Sequence, residues 1–304
     1  MIVGRIHEAD HVGEHTRRSH IWGVDTRVPI QPLLCMLRVC TVGQREHDCR
    51  RISAFHLLTP PSRVGLATEE TGATQDHGLE SPVPQRDIDN APPNYDPLGR
   101  ATEQTTNLIL LDREVRASNA VFNAANYAAG NKTTLSGTSQ WSHEDSNPLT
   151  AIADALDSVV MRPTIGVLGR AVSTKLRRHP KVVKAFNGTL GDEGMVPLQW
   201  LAEILELEAI LVGEARLNIA RPGQAANLSR VWGNHASFIY RDELADANNG
   251  TTCGFTAEVG GRIATSSFDK NIGLRGGQMV RVGESVKELI TAPDLGYFFE
   301  NAIS

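Results

Sequence analysis

The sequence predicts an α+β fold. Two amphipathic helix patterns come first, between residues 101 and 163, and strand-like segments dominate after residue 251, so strands and helices do not alternate regularly. The chain has 304 residues, of which 40% are hydrophobic and 21% charged, which is typical of a globular chain with a substantial core. We therefore expect helices and sheets in one molecule without a regular parallel sheet.

Composition argues against several classes of protein. The net charge of -5 and the pI near 6.1 are unlike a generally basic, DNA-coating chain. The best apolar run, residues 33–42, is short and contains Arg38, so no membrane span is predicted. There is no secretory pattern at the N-terminus and no C-x-x-C pair among the four cysteines. We expect synthesis in the cytoplasm and free thiols.

Residues 1–60 differ in composition from the rest of the chain. They contain three of the four cysteines, six of the ten histidines and eight arginines, but no lysine and no sustained hydrophobic period. Two interpretations stay open: an irregular N-terminal arm, or residues that come from an out-of-frame start.

Residues 67–97 are acidic and rich in proline. They carry seven carboxylates against the single Arg86, and five prolines. We expect that such a stretch is not helical and buries little surface. It is either a linker or an extended arm that becomes ordered against a neighbour.

The first helix is predicted at about residues 101–127. Its apolar face is formed by residues at helical spacing, namely Leu108, Leu111, Val115 and Phe122. Asp112 and Arg116 are expected to pair one turn apart on the surface. Gly130 and Asn131 are the predicted stop.

A second helix is predicted from Asn147, as N-cap, and Pro148 up to Pro163. Further helices are expected at 172–178 and 198–207. Short strands are expected at 164–168, 209–212, 231–240, 255–259, 262–264 and 278–282.

The segment His7-Glu8-Ala9-Asp10-His11 matches the H-E-x-x-H zinc motif. On a helix, His7 and His11 would lie on one face and bind zinc, with Glu8 as general base. However, no amphipathic pattern flanks the segment, and a chance match is easy where histidine is frequent. A zinc-dependent metallohydrolase is therefore an alternative, and no metal site is our main prediction.

The basic run at residues 170–184 gives a second alternative, a small nucleic-acid-binding protein. The run lacks interleaved aromatic residues and is more typical of a solvated helix face. Phosphate-loop, dinucleotide-binding and nucleophile-elbow motifs are all absent from the sequence.

From about residue 62 onward, the order of several short motifs resembles the major capsid proteins of tailed bacteriophages and prophages, which have the Hong Kong 97-type coat fold. The motifs that carry the resemblance are residues 101–107 leading into 111–116, Leu135-Ser136-Gly137, Gln140-Trp141-Ser142, Asn147-Pro148, residues 177–180, 201–205, 210–213 and 231–234.

The resemblance implies a division of the chain and a function. The segments are an atypical N-terminal arm (1–60), which does not match the usual arm of the family and is either native or misread, an extended loop (61–97), a peripheral domain with a long spine helix (98–147), an axial domain (148–245) and a C-terminal return to the peripheral domain (246–304). The implied function is a structural, non-enzymatic subunit that self-assembles into an icosahedral shell around double-stranded DNA.

The resemblance also implies partners. They are other copies of the chain in pentamers and hexamers, packaged double-stranded DNA bound without specificity, and portal, scaffold, maturation protease and decoration proteins. The chain would reside in the virion capsid after synthesis in the bacterial host cytoplasm. No cofactor, no catalytic residue and no membrane contact is expected.

Candidate intersubunit residues are Glu69, Glu70 and Arg86, whose charges would fix the register between neighbouring subunits. Trp141 and Trp232 are predicted to anchor the core or a domain junction. Residues 67–97 contain no lysine, so we expect no lysine-to-asparagine cross-link from this loop.

Overall fold

The computed structural model describes the backbone of residues 38–41, 48–52, 69–188, 191–221, 223–245 and 250–304, and side chains from residue 72 onward within these ranges. It contains a four-stranded sheet and a five-stranded sheet, each with helices packed on it, and two short strand pairs. Helices and strands are mixed, so the predicted α+β class is confirmed. Most of residues 1–60 lie outside the described residues, and both interpretations of that segment stay predictions.

The four-stranded sheet is built on a long antiparallel hairpin. Its strands, in order across the sheet, are β1 (Arg38–Thr41), β11 (Gly254–Asp269), β12 (Gly277–Ile290) and β4 (Gln75–Pro84). The register of the hairpin shifts between Val259 and Ile263, where Gly260 and Gly261 have φ values of +74° and +72°. Glycine adopts this conformation without a Cβ clash, so the bulge bends a continuous strand where two separate strands were predicted.

Residues 69–97 are more ordered than their composition predicts. They form β3 (Glu69–Ala73), β4 and the short helix α1 (Gln85–Asp89), and Val83 is buried. The expectation of a non-helical stretch is therefore wrong for residues 85–89, whereas the expectation of little burial is confirmed, since Thr74 and Val83 are the only buried residues among the described side chains of 72–97. Pro82 and Pro84 are tolerated because β4 is an edge strand. A proline lacks the backbone N–H, and at an edge strand this need not remove a hydrogen bond to a neighbouring strand.

The long helix α2 (Pro97–Val121) packs on β4 and β12. Asp96 caps its start by accepting a hydrogen bond from the Leu98 N–H at 3.0 Å, and Pro97 occupies the first helical position. The helix ends before the predicted residue 127 because Asn123 caps a separate 3₁₀ turn at Ala124–Asn126.

The buried face of α2 differs from the predicted one. Leu111 is buried as predicted, whereas Leu108, Val115 and Phe122 are only half-buried. The buried positions include apolar and polar residues: Ala101, Thr105, Ile109, Leu111, Arg113, Glu114, Ser118 and Val121. Hydrophobic periodicity could not find this face because half of it is polar.

The five-stranded sheet has the order β5, β13, β10, β6, β7. Its strands are β5 (Lys132–Thr134), β6 (Ile165–Gly169), β7 (Ala209–Gly213), β10 (Ala236–Ile239) and β13 (Gly296–Glu300). Four helices share one core with this sheet: α3 (Pro148–Ser158), α4 (Arg170–Arg177), α5 (Pro180–Asn187) and α6 (Leu198–Ile204). β5 and β13 lie in the segments 98–147 and 246–304, which were predicted to form the peripheral domain. The other three strands of this sheet lie in the predicted axial domain. The division into domains stays a prediction.

Two strand pairs stand outside both sheets. β2 (Asp48–Ile52) pairs with β3, and β8 (Arg216–Asn218) pairs with β9 (Leu228–Arg230). The strand predicted at 231–240 begins only at Ala236. Residues 231–235 form a loop instead, and this loop lies against Gly169 and Gly213 at the ends of β6 and β7.

Gly213→Ala should destabilise the fold strongly. A Cβ at Gly213 would lie 2.0 Å from Cγ of the buried Trp232, so the loop or the strand must move. We expect a loss of at least about 2 kcal/mol in the free energy of unfolding, measured by urea titration with circular dichroism. Gly130→Ala is the matched control because a Cβ there meets nothing within 4 Å. Equal stability of the two variants would contradict the prediction.

Candidate intersubunit surface and sheet junction

The three predicted intersubunit residues do not form one cluster. Glu69 and Glu70 lie in β3, opposite Ile52 and Arg51 of β2, where the description is of the backbone. Arg86 is exposed on α1, at the other end of β4, and has no ion pair among the described residues. The ten residues of β4 span roughly 33 Å, so Arg86 lies at a different place from the two glutamates.

The zinc alternative finds no support in the described part of the chain. His7 and His11 lie outside the described residues, and no group of three or more metal-ligating side chains occurs within them. Cys253 is buried, and burial raises the pKa of its thiol to about 12. This thiol therefore stays protonated and is a poor nucleophile or metal ligand.

The two sheets are joined through Trp232 and the last turns of α2. The indole is fully buried, its Nε1–H donates to Glu114 Oε1 at 2.6 Å, and Phe122 contacts it edge-on at a centroid distance of 5.1 Å. The Ser118 hydroxyl donates to the Val231 carbonyl at 3.0 Å. Trp232 is therefore a junction anchor, and Trp141, buried against Phe299, is a core anchor, as predicted.

Glu114 is a buried carboxyl with a shifted pKa. Burial raises its pKa from 4.5 to about 7, and the hydrogen bond from Trp232 opposes the shift. The protonated form is therefore favoured in the fold up to near-neutral pH. Sequence reasoning missed Glu114 because a charged residue inside an amphipathic pattern is normally assigned to the solvent side.

A cluster of charges fixes α2 on the hairpin. Glu284 has a fully buried side chain, and three guanidinium groups approach it: Arg113 at 3.5 Å, Arg116 at 3.4 Å and Arg262 at 2.9 Å. Arg116 also pairs with Glu288 at 2.7 Å and with Asp112 at 3.0 Å. The Asp112–Arg116 pair is thus confirmed, but its predicted surface position is wrong because β12 covers it.

Helices α4 and α5 carry the basic run. Arg170 pairs with Glu214 at 2.8 Å, and Arg177 Nε donates to the Val196 carbonyl at 2.6 Å. Partial burial and the charge of Arg170 lower the pKa of Arg177. The remaining cations of the run are exposed: Lys175, Arg178, Lys181 and Lys184.

Large apolar side chains are exposed in the turn of the β11–β12 hairpin and along β11 from the bulge to that turn. Leu274 is fully exposed in the turn, and Ile263 and Phe268 are more than half exposed on β11. Exposed apolar groups on one projecting element are typical of a surface that another molecule covers.

No helix in the described part of the chain is both long and apolar enough to cross a membrane. A scan against models of protein families finds no match. The chain is, however, 72% identical over 238 residues to the major capsid protein of Pseudomonas phage JBD67, which covers 78% of this chain and 77% of that protein. The chain belongs to the phage major capsid proteins.

Solved structures give the fold of this capsid protein. A phage-related protein from Bordetella bronchiseptica RB50 superposes with a TM-score of 0.69 at 20% identity, over 88% of this chain and 90% of that one. The capsid structure of cyanophage P-SCSP1u gives a TM-score of 0.52 at 10% identity, over 96% and 92%. The fold is the Hong Kong 97-type capsid fold, as the sequence motifs implied.

The role of this capsid protein is structural: it is a subunit that self-assembles into a phage capsid shell. The two alternatives, a zinc-dependent metallohydrolase and a small nucleic-acid-binding protein, are not supported.

Glu114→Gln should flatten the dependence of stability on pH. The wild-type carboxyl has a folded pKa above its unfolded value of 4.5, so its contribution is present below pH 4.5 and is lost as the pH rises through about 7. The Gln side chain keeps an acceptor for Trp232 without a charge to bury. From about pH 5 to about pH 8, wild type should lose on the order of 2 to 3 kcal/mol relative to the variant in urea titrations.

The control for Glu114→Gln is Glu103→Gln, a change at an exposed position of the same helix. Glu103→Gln should keep the wild-type pH profile. Parallel profiles of wild type and Glu114→Gln would contradict the assignment.

Proposed function

We propose that the capsid protein forms pentamers and hexamers that close into an icosahedral shell around double-stranded phage DNA. The observation that carries the proposal is the 72% identity to the major capsid protein of a phage over most of both chains. A ring needs a different surface on each side of every subunit, and the acidic β3 region and the apolar hairpin tip are surfaces of unlike chemistry.

The direct test is negative-stain electron microscopy of the purified full chain over a range of concentrations. Shells or capsomer rings that increase with concentration are expected. Dispersed subunits at every concentration would contradict the proposal.

We infer that β2 and β3 form an arm that lies on a neighbouring subunit, with Glu69 and Glu70 in the contact. This strand pair joins no other strand of the described residues, and an isolated two-stranded pair is marginally stable in water. A neighbouring surface would stabilise it. Arg86, exposed and without an ion pair among the described residues, would contact a neighbour at the other end of β4.

The capsid protein is proposed to act without catalytic residues, metal or cofactor. Its further proposed partners are portal, scaffold, maturation protease and decoration proteins, and its proposed place of synthesis is the bacterial host cytoplasm. These partners are proposed from the family and not from particular residues.

Changing both Glu69 and Glu70 to Lys should impair assembly and leave the subunit folded, because like charges would replace complementary ones across the contact. Shell yield is measured by electron microscopy and sedimentation, and folding by circular dichroism. The matched control changes Asp192 and Glu193, an adjacent acidic pair whose side chains are exposed, to Lys. Normal shells from the Glu69 and Glu70 variant would count against the arm contact.

Leu274→Asp should also reduce shell yield, because Leu274 is fully exposed and its loss removes no contact within the subunit. Burying one leucine on assembly contributes about 2 kcal/mol per contact, so assembly should need a protein concentration at least about tenfold higher. Leu274→Met, which keeps an apolar side chain, is the control. An unchanged concentration threshold for Leu274→Asp would exclude the hairpin tip from the interface.

A further inference from the structure

Two consecutive helices present four exposed cations on the surface beside the five-stranded sheet. Lys175 and Arg178 lie three residues apart at the end of α4, and Lys181 and Lys184 lie three residues apart on α5. Residues three apart on a helix are neighbours on its surface. No Asp or Glu occurs from residue 170 to residue 188, so no carboxylate of either helix neutralises the four.

The other cations of this run serve the fold. Arg170 is held by Glu214, Arg177 by the Val196 carbonyl, and His179 is buried with Nε2 3.0 Å from Ser146 Oγ. The four exposed cations form no ion pair within the described residues. Lys181 donates only to a backbone carbonyl, that of Asp145. Their charges are therefore available to an external anion.

The surroundings favour duplex DNA over other polyanions. The chain as a whole has a net charge of -5, so four exposed cations on two helices without a carboxylate are a local concentration of positive charge. Phe186 is the one aromatic residue of α5, and it packs edge-on against Trp200 at 5.2 Å. A single-strand site needs a row of aromatic residues on which bases stack, whereas a duplex needs only cations facing its backbone.

We propose that Lys175, Arg178, Lys181 and Lys184 bind the phosphate backbone of double-stranded DNA without sequence preference, and that this surface of α4 and α5 faces the interior of the shell. The inference rests on the proposed DNA-enclosing shell and adds the surface that meets the DNA. Four phosphate contacts predict a slope of about -3.6 in a plot of log affinity against log salt concentration.

The experiment uses the purified full chain at concentrations at which electron microscopy shows dispersed subunits. Binding to labelled duplexes of two unrelated sequences is measured by fluorescence anisotropy as a function of salt. The test variant changes all four cations to Gln. The control variant changes four exposed cations elsewhere to Gln, namely Arg100, Arg230, Lys270 and Arg275.

Wild type and the control variant should bind both duplexes equally, and the test variant should lose about 3.6 units of the salt slope. Equal binding by the test variant, no binding by wild type, or binding that depends on sequence would overturn the inference. The inference would also be overturned if the test variant bound DNA normally but formed no shells. That outcome would assign the surface of α4 and α5 to a contact between copies of the subunit.

The proposed function has its own readout in the same samples. If wild type forms shells while the test variant keeps normal DNA binding, only the inference about α4 and α5 fails. If wild type forms no shells at any concentration, the proposed function fails irrespective of DNA binding.

Discussion

The burial of Trp232 between the two sheets is the constraint on which the rest of the structure depends. Its indole excludes a side chain at Gly213, and its loop excludes one at Gly169, where a Cβ would lie 2.0 Å from the Gly233 carbonyl. Its Nε1–H needs an acceptor in an apolar surrounding, which Glu114 supplies. Trp232 and the backbone of its loop thus account for two glycines and one buried carboxyl in three different elements.

The charge cluster at Glu284 gives the long helix a second constraint of a different kind. A buried ion network contributes little net stability, because desolvation offsets most of the attraction between the charges. Its effect is to fix the alignment of α2 along the β11–β12 hairpin. Sliding α2 along the hairpin by one turn would separate Arg113 and Arg116 from Glu284 and leave a buried charge unpaired. The apolar contacts of Ile109 and Val282 tolerate such a shift far better, so the charges select one alignment.

The sequence predicted the elements whose side chains follow a simple burial pattern. α3 was found because Pro148 starts it and its apolar face is regular, and β6 was found as a short buried run. The face of α2 was assigned wrongly because Arg113 and Glu114 are buried against partners far away in the chain. The length of β11 was missed because residues 262–268 are exposed on both faces and show no alternation.

The candidate site was less accessible to sequence reasoning than the fold. Exposure of Leu274 depends on a turn that projects from the sheet, and a leucine in a sequence is ordinarily assigned to a core. Likewise, the basic run contained both structural and free cations, which only contacts with Glu214 and Val196 distinguish. The sequence of α4 and α5 shows that this surface is basic. Only the tertiary contacts show which of its cations are exposed and form no ion pair.

The subunit is incomplete by itself in a way that fits its role in a shell. Within the described residues, β2 and β3 join neither sheet, the apolar turn of the β11–β12 hairpin is exposed, and the cationic surface of α4 and α5 forms no ion pair. The strand pair and the apolar turn are surfaces of unlike chemistry, as a head-to-tail ring requires, because its contacts join two different surfaces of neighbouring subunits. If the proposed DNA contact is made by this cationic surface, it would be limited to one face of the subunit, because the chain as a whole is acidic.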